Sequence, residues 1–221
     1  MSINIAIDGP AGAGKSTVAK GVAAKLNYIY VDTGALYRAL ALFAHEMNVP
    51  CKDEEGVTKI LPKASVELKF IDGTQRVFLN GKDVSEKIRT PEISMGASDI
   101  SALPPVREFL FGLQRKIARE NNVIMDGRDI GTVVLPDADV KIFLTASAEE
   151  RAQRRYKELI EKGEKVEYQR VLDEVNQRDY NDMNRKVSPL KQADDAVLFD
   201  TTGMTLEQSV EAVLDILHKK L

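Results

Sequence analysis

The chain has 221 residues, 43% hydrophobic and 29% charged, with a formal net charge of −3. That length supports one compact domain with a sizeable core and leaves room for a smaller inserted piece, while the mixed composition excludes a disordered or fibrous protein. The slight negative balance argues against a nucleic-acid partner held by a global basic field, so an anionic ligand must be met by local clusters.

Cys51 is the only cysteine, which excludes an internal disulfide framework and fits a reducing compartment. The opening "MSINIAIDGP" carries no basic segment ahead of its apolar run, and no run approaches the roughly 18 apolar residues of a membrane span. The reading is a cytoplasmic protein without a membrane partner.

Short apolar, β-branched runs, "INIAI", "YIYV", "VIM", "VKIFL" and "AVLF", alternate with amphipathic stretches. Strands buried on both faces read this way, and they imply an α/β fold with a parallel sheet and crossover helices. The first run is followed by "GPAGAGKST", Gly9 to Thr17. Gly9, four residues, Gly14, Lys15 and Ser16 fit the Walker A pattern, and a helix with an apolar stripe at Val18, Val22 and Leu26 follows at once.

Glycines let such a loop curl with its N–H groups facing inward, and the helix N-terminus adds a dipole favourable to phosphate. Gly9, Pro10, Ala11, Gly12, Ala13, Gly14, Lys15, Ser16 and Thr17 are therefore the candidate nucleoside triphosphate cradle. Lys15 would reach the β and γ phosphates, Ser16 would ligate Mg²⁺, and Thr17 would add a donor to the α-phosphate. The loop alone leaves a GTPase switch, a motor-like ATPase and a small-molecule kinase open.

After the second run, "DTGALYR" places Asp32 to Arg38 at a carboxyl strand end, where doubly wound sheets bind ligands. Arg38 can fork onto a phosphate there, with Tyr37 as a hydroxyl donor or stacking face. Residues 64 to 88 then alternate at period two and carry the turn dipeptides Asp72-Gly73 and Asn80-Gly81, which predicts an inserted antiparallel meander. Pro104-Pro105 marks the return before a helix near Val106 to Glu120.

"VIMDGRDIG" begins as a buried strand and ends in charge. At the carboxyl end of a central strand beside the loop, Asp126 can hold Mg²⁺ and Arg128 can bridge two phosphates. Asp129 suggests base reading, since a carboxylate accepts from the exocyclic amine of cytosine and repels the carbonyl of uracil. Further on, Arg151, Arg154, Arg155, Arg170, Arg178 and Arg185 suit two helices folding over transferring phosphates as a lid. Ser147 with Glu150 and Thr205 with Gln208 read as capping boxes. His45 and His218 lie far apart in sequence and suggest no metal site.

In order, and over nearly the whole length, "IAIDGPAGAGKST", "DTGALYR", "IRTPEISMGAS", "VIMDGRDIGTVVLPDADVKIFL", "SAEERAQRR" and "QRDYNDMNR" resemble segments of the bacterial cytidylate kinase family. The resemblance implies a P-loop three-layer fold: a core at residues 1–36 and 106–221, a helical lid at about 151–186, and a monophosphate-binding insert at 37–105 carrying the meander at 64–88. It implies transfer from ATP, with Mg²⁺, to CMP or dCMP by a monomer, with Lys15, Arg128 and Arg185 catalytic. Arg38, Arg128 and Arg185 would hold the CMP phosphate, with Thr33 and Tyr37 nearby. Ser98, Arg107 and Asp129 would contact cytosine, and Arg178 and Asp182 the sugar. Thr33 stands where some relatives carry serine, and Ser16 where some carry glycine. The alternatives are a P-loop kinase of another acceptor, such as UMP or dTMP, and a nucleotide-dependent switch. The arginine density beyond the loop speaks against the switch, which has no second phosphate to hold.

Overall fold

The computed structural model describes residues 2–71 and 74–221. In chain order, β1 (Asn4–Asp8) leads into α1 (Lys15–Leu26), and β2 (Ile29–Asp32) into α2 (Thr33–Glu46) and α3 (Glu54–Ile60). Next come β3 (Val66–Ile71), β4 (Thr74–Leu79) and β5 (Lys82–Asp83), then α4 (Pro91–Ile100) and α5 (Pro104–Glu120). The remainder runs β6 (Val123–Gly127), β7 (Val140–Thr145), α6 (Ala148–Glu161), α7 (Tyr168–Asn184), β8 (Val197–Asp200) and α8 (Leu206–Lys220).

The five apolar runs form one five-stranded sheet in the order β2-β6-β1-β7-β8, every neighbour pair parallel. Helices cover both faces, which is why the central strands are apolar without alternation. Val18 and Val22 of α1 pack with Val210, Val213 and Leu217 of α8 against Ile5, Ile7 and Ile142. Ile117 of α5 and the π-helical turn Ile130–Val134 close the other face over Met125. A separate cluster joins Leu36 and Leu40 of α2 to Val57, Val77, Ile88, Ile100 and Leu110.

The antiparallel sheet has the order β3-β4-β5. The Asp72-Gly73 turn lies outside the described residues. Asn80 and Gly81 both take left-handed φ, 48° and 77°, as a tight two-residue hairpin turn requires. The alternation through residue 88 outlasts the sheet, because β5 stops at Asp83. Ser85 turns the chain back by accepting from the Val77 N–H through its hydroxyl at 2.9 Å, and Lys87–Arg89 form a 3₁₀ turn.

Helix starts follow local chemistry. Pro104 and Pro105 sit inside the first turn of α5 rather than before it, since proline lacks only an N–H that a first turn leaves unpaired. The Thr205–Gln208 capping box forms with both bonds. The Ser147–Glu150 box forms in one direction only. Ser147 accepts from the Glu150 N–H, but the Glu150 carboxylate goes to Arg154 and to the Gly203 N–H.

Register sets the site. Asp8 pairs with Gly127 and Asp32 with Asp126, so three strands present their carboxyl ends at one level. Gly9 follows with φ 147°, and a Cβ there would lie 1.9 Å from the Leu144 carbonyl oxygen of β7. Only glycine fits.

Asp8, which no sequence pattern singles out, is buried and accepts from the Ile130 and Gly131 N–H groups at 2.8 and 2.7 Å. It thereby ties the end of β1 to the segment after β6. Replacing it by alanine leaves two buried N–H groups unpaired, a loss of about 2–6 kcal/mol at roughly 1–3 kcal/mol per orphaned group. Urea unfolding measures this. Burial pushes the Asp8 carboxyl up to about 6 against the pull of the two N–H groups. The native state therefore binds its proton more tightly than the unfolded chain, whose value stays near 3.8. This residue's contribution is largest below that value and is lost as pH rises through about 6. Against a non-titrating Asp8→Asn variant, the relative stability of the wild type is expected to fall between about pH 4 and pH 7.

Candidate active site

A cleft of about 470 Å³ opens where these strand ends meet. Its walls carry eight arginines and Lys15 against five carboxylates, Asp32, Asp126, Asp129, Glu158 and Asp182. A chain with net charge −3 thus concentrates a local excess of four positive charges in one concavity. Such a surface attracts polyanions.

The Gly9–Thr17 loop forms one end. Gly14 precedes α1 in a left-handed conformation, and neither a side-chain cap nor an acidic residue occupies the first turn. Gly12, Gly14, Lys15, Ser16 and Thr17 line the cleft where that helix begins, at the positive end of its dipole. Gly9, Pro10 and Ala13 shape the loop from behind: Ala13 is buried in the core, and the Pro10 carbonyl accepts from Lys15 Nζ at 2.7 Å. Burial, with the Arg128 charge adding, pulls the Lys15 ammonium down to about 7. A cation so poorly solvated gains strongly from an incoming anion.

Asp126, at the end of β6, accepts from Ser16 Oγ at 2.8 Å on one oxygen and from Tyr30 Oη at 2.9 Å on the other. Burial first and then the Asp32 charge push its carboxyl up. Tyr30 lies on β2, and in the sequence it is only one residue of an apolar run; no pattern marks a strand tyrosine whose hydroxyl reaches a carboxylate on the neighbouring strand. Thr33 Oγ1 donates to the Asp126 carbonyl at 2.7 Å, bracing the start of α2 on β6.

On the opposite wall Asp32 caps α2 through the Ala35 N–H and pairs with Arg38 Nη2 at 2.7 Å. Arg128 Nε meets Asp182 at 2.9 Å. Arg107 and Asp129 form a buried pair, and Arg185 Nη2 lies 3.7 Å from the other Asp129 oxygen. Burial pushes the Asp129 carboxyl up, opposed by Arg107 and Arg185. Ser101, which carries no signal in the sequence, joins the group: its carbonyl accepts from Arg107 and its hydroxyl from Arg185. Ser98 and Arg178 complete this wall. Burial, with Arg128 adding, pulls the Arg178 guanidinium below its usual value. Tyr37 Oη, Arg38 Nε, Arg107 Nε and Arg185 Nη2 are buried and make no hydrogen bond among the described residues.

Four arginines, Arg151, Arg154, Arg155 and Arg178, reach the cleft from α6 and α7. Arg170 does not; it pairs with Glu174 on the solvent face. Arg151 is buried and grips three partners: the Ala146 carbonyl, the loop carbonyl of Ala11 at 3.0 Å, and both oxygens of Asp179 at 3.0 and 2.5 Å. Asp179 is inconspicuous in the sequence because an acidic residue inside a polar helix is usually a solvated one.

The site therefore joins the Gly9–Thr17 loop to a second cationic wall across one cleft. A family model described as cytidylate kinase matches residues 5–219. The chain belongs to the cytidylate kinase family. It is 54% identical over 219 residues to a cytidylate kinase of Caldanaerobacter subterraneus subsp. tengcongensis, covering 99% of this chain and 96% of that one. It is 52% identical over 217 residues to a cytidylate kinase of Caldicellulosiruptor saccharolyticus, covering 98% and 96%. Among solved structures, an uncharacterized protein from Eubacterium ventriosum shares the fold, with a TM-score of 0.54 and 12% identity over 98% of this chain and 99% of that one. Members of the cytidylate kinase family are phosphotransferases, and the chain is one. No helix among the described residues is long and apolar enough to cross a membrane.

Asp179 supplies a test of the clamp on the Gly9–Thr17 loop. Removing one partner of a buried ion pair leaves an uncompensated charge at a cost of about 3–5 kcal/mol. Asp179→Ala is expected to lose roughly that stability in thermal unfolding and to weaken ATP binding by calorimetry, since Arg151 no longer fixes the Ala11 carbonyl.

Proposed function

We propose that this enzyme transfers the γ-phosphoryl group of ATP to CMP and dCMP, giving CDP and dCDP. The observation that carries the reading is the single cleft in which a phosphate loop faces a second set of arginines, in a chain of this family. A nucleotide switch has one phosphate chain to hold; this cleft offers cations for two.

On the donor side the α1 N–H groups and Lys15 bind the triphosphate. Ser16 and Asp126 fit Mg²⁺: a hydroxyl and a carboxylate oxygen 2.8 Å apart at the mouth of the loop. So short a ligand set suits an ion that keeps waters and takes substrate oxygens. Among the described residues no three His, Cys, Asp or Glu side chains cluster to hold a metal by themselves. Bound with ATP, the ion would neutralise charge on the phosphate oxygens.

On the acceptor side Arg38, Arg128 and Arg185 hold the CMP phosphate, with Thr33 and Tyr37 beside it, and Arg178 and Asp182 take the sugar hydroxyls. Ser98, Arg107 and Asp129 meet cytosine, the Asp129 carboxylate accepting from the exocyclic amine and repelling the uracil oxygen. The acceptor phosphate, with a second pKa of about 6, is already a dianion at neutral pH, so no general base is needed. Catalysis is alignment plus neutralisation, with Lys15, Arg128 and Arg185 spreading the equatorial oxygen charge and the α6–α7 arginines excluding water. Residues 1–36 and 106–221 act as the core with a lid at 151–186, and 37–105 as the CMP-binding insert. The enzyme works as a cytoplasmic monomer, without nucleic-acid or membrane partners.

Steady-state titration of CMP, dCMP, UMP and AMP against ATP tests the reading: CMP and dCMP are expected to drive ADP release well above UMP and AMP. Nucleotide turnover indifferent to every monophosphate would sink it. Arg128→Ala should lower kcat at least a hundredfold, in line with about 3–4 kcal/mol for one lost transition-state donor, with circular dichroism unchanged. Asp129→Asn should lower the CMP over UMP ratio of kcat/KM.

A further inference from the structure

A second cavity, of about 490 Å³, lies between the antiparallel sheet and the core. Tyr28, Tyr30 and Lys20 line it on the core side, and Phe70, Val77 and Arg89 on the other. At this edge the side chain of Gln75 of β4, which also lines the cavity, reaches the end of β2. Its Oε1 accepts from the Asp32 N–H at 2.8 Å, and its Nε2 donates to the Asp32 carbonyl at 3.3 Å. A side-chain amide here imitates one rung of a β-ladder, satisfying both backbone groups of the last residue of the edge strand β2.

Asp32 is the residue on which the acceptor wall turns. One of its carboxylate oxygens caps α2 at the Ala35 N–H, 3.0 Å away, and the other holds Arg38. Its Cα pairs in register with Asp126. Fixing both backbone groups of Asp32 fixes the direction of its carboxylate, and hence the aim of the guanidinium it holds. Nothing in the sequence marks Gln75, a polar residue near a hairpin tip.

We propose that Gln75 is a positioning residue for the acceptor side. By pinning Asp32 across the cavity it couples the placement of the antiparallel sheet to the aim of Arg38. It does not line the first cleft. The inference rests on the reading of Arg38 as an acceptor-phosphate ligand, whereas the tether itself does not.

Gln75→Met keeps the length and volume of the side chain and removes both hydrogen bonds. Two neutral hydrogen bonds lost at one strand end correspond to roughly a tenfold effect. The expected result is a rise of about tenfold in the KM for CMP, with the KM for ATP and the kcat at saturating CMP changed less than about twofold. In hydrogen exchange, protection at the Asp32 amide should fall by roughly tenfold or more, while amides in β1 and β6 keep theirs. Should Gln75→Met fail to fold, Gln75→Ala repeats both measurements with less added apolar surface. An unchanged Asp32 amide would overturn the tether. A released amide with an unchanged CMP KM, or equal rises in the CMP and ATP KM, would overturn its coupling to the acceptor side. If the wild type itself does not use CMP, the proposed function fails, and the exchange result still decides the tether.

Discussion

Mutual repulsion among like charges is the constraint on which the architecture rests. Nine cationic groups face one cleft, and without compensation they would drive its walls apart. Six of them are held by a carboxylate: Arg128 by Asp182, Arg107 by Asp129, Arg151 by Asp179, Arg38 by Asp32, Arg154 by Glu150 and Arg155 by Glu158. Because there are fewer acids than bases on the walls, the surplus is left for a ligand. Buried pairs of this kind add little net stability, as desolvation offsets their attraction, but they fix where each guanidinium points. The pairing organises the site more than it stabilises the fold.

The parallel sheet makes that arrangement possible. All five strands end at the same edge, so backbone dipoles, loop N–H groups and the polar residues after each strand gather on one side while the apolar segments fill the layer beneath. Asp8 repeats the arrangement on a smaller scale. A carboxylate that the core would otherwise reject is retained because it satisfies two N–H groups at the start of the π-helical turn. The turn in turn carries Asp129 at its head. Sheet, turn and the Arg107–Asp129 wall of the cleft are thus one connected object.

Much of this is legible in the residues. The strands of the parallel sheet announce themselves as mostly apolar runs, with Asn4 and Lys141 as polar interruptions, because burial on two faces leaves little alternation to obscure them. The phosphate loop and the two charged strand ends stand out because glycines, a lysine and aspartates rarely meet at those offsets unless an anion has to be bound there. What stays hidden are the residues acting across long sequence separations, namely Asp8, Tyr30, Gln75 and Asp179. Each is an ordinary residue by local pattern, and its role exists only once another element lies beside it. The end of the meander is obscured for a related reason. Ser85 replaces strand pairing with a side-chain bond, and alternation persists where the ladder has already stopped. Prolines 104 and 105 punctuate the sequence like a boundary, yet they form the first turn of a helix.

The contact between Gly9 and the Leu144 carbonyl bears on the dimensions of the Gly9–Thr17 loop. The loop does not set its own curvature; it is gauged by the neighbouring strand, with no side chain between them to act as a spacer. Any small shift of β7 would pass directly into the loop ahead of α1. The width of the loop is in this sense a property of the sheet's spacing, which strand hydrogen bonding holds far more constant than any loop could.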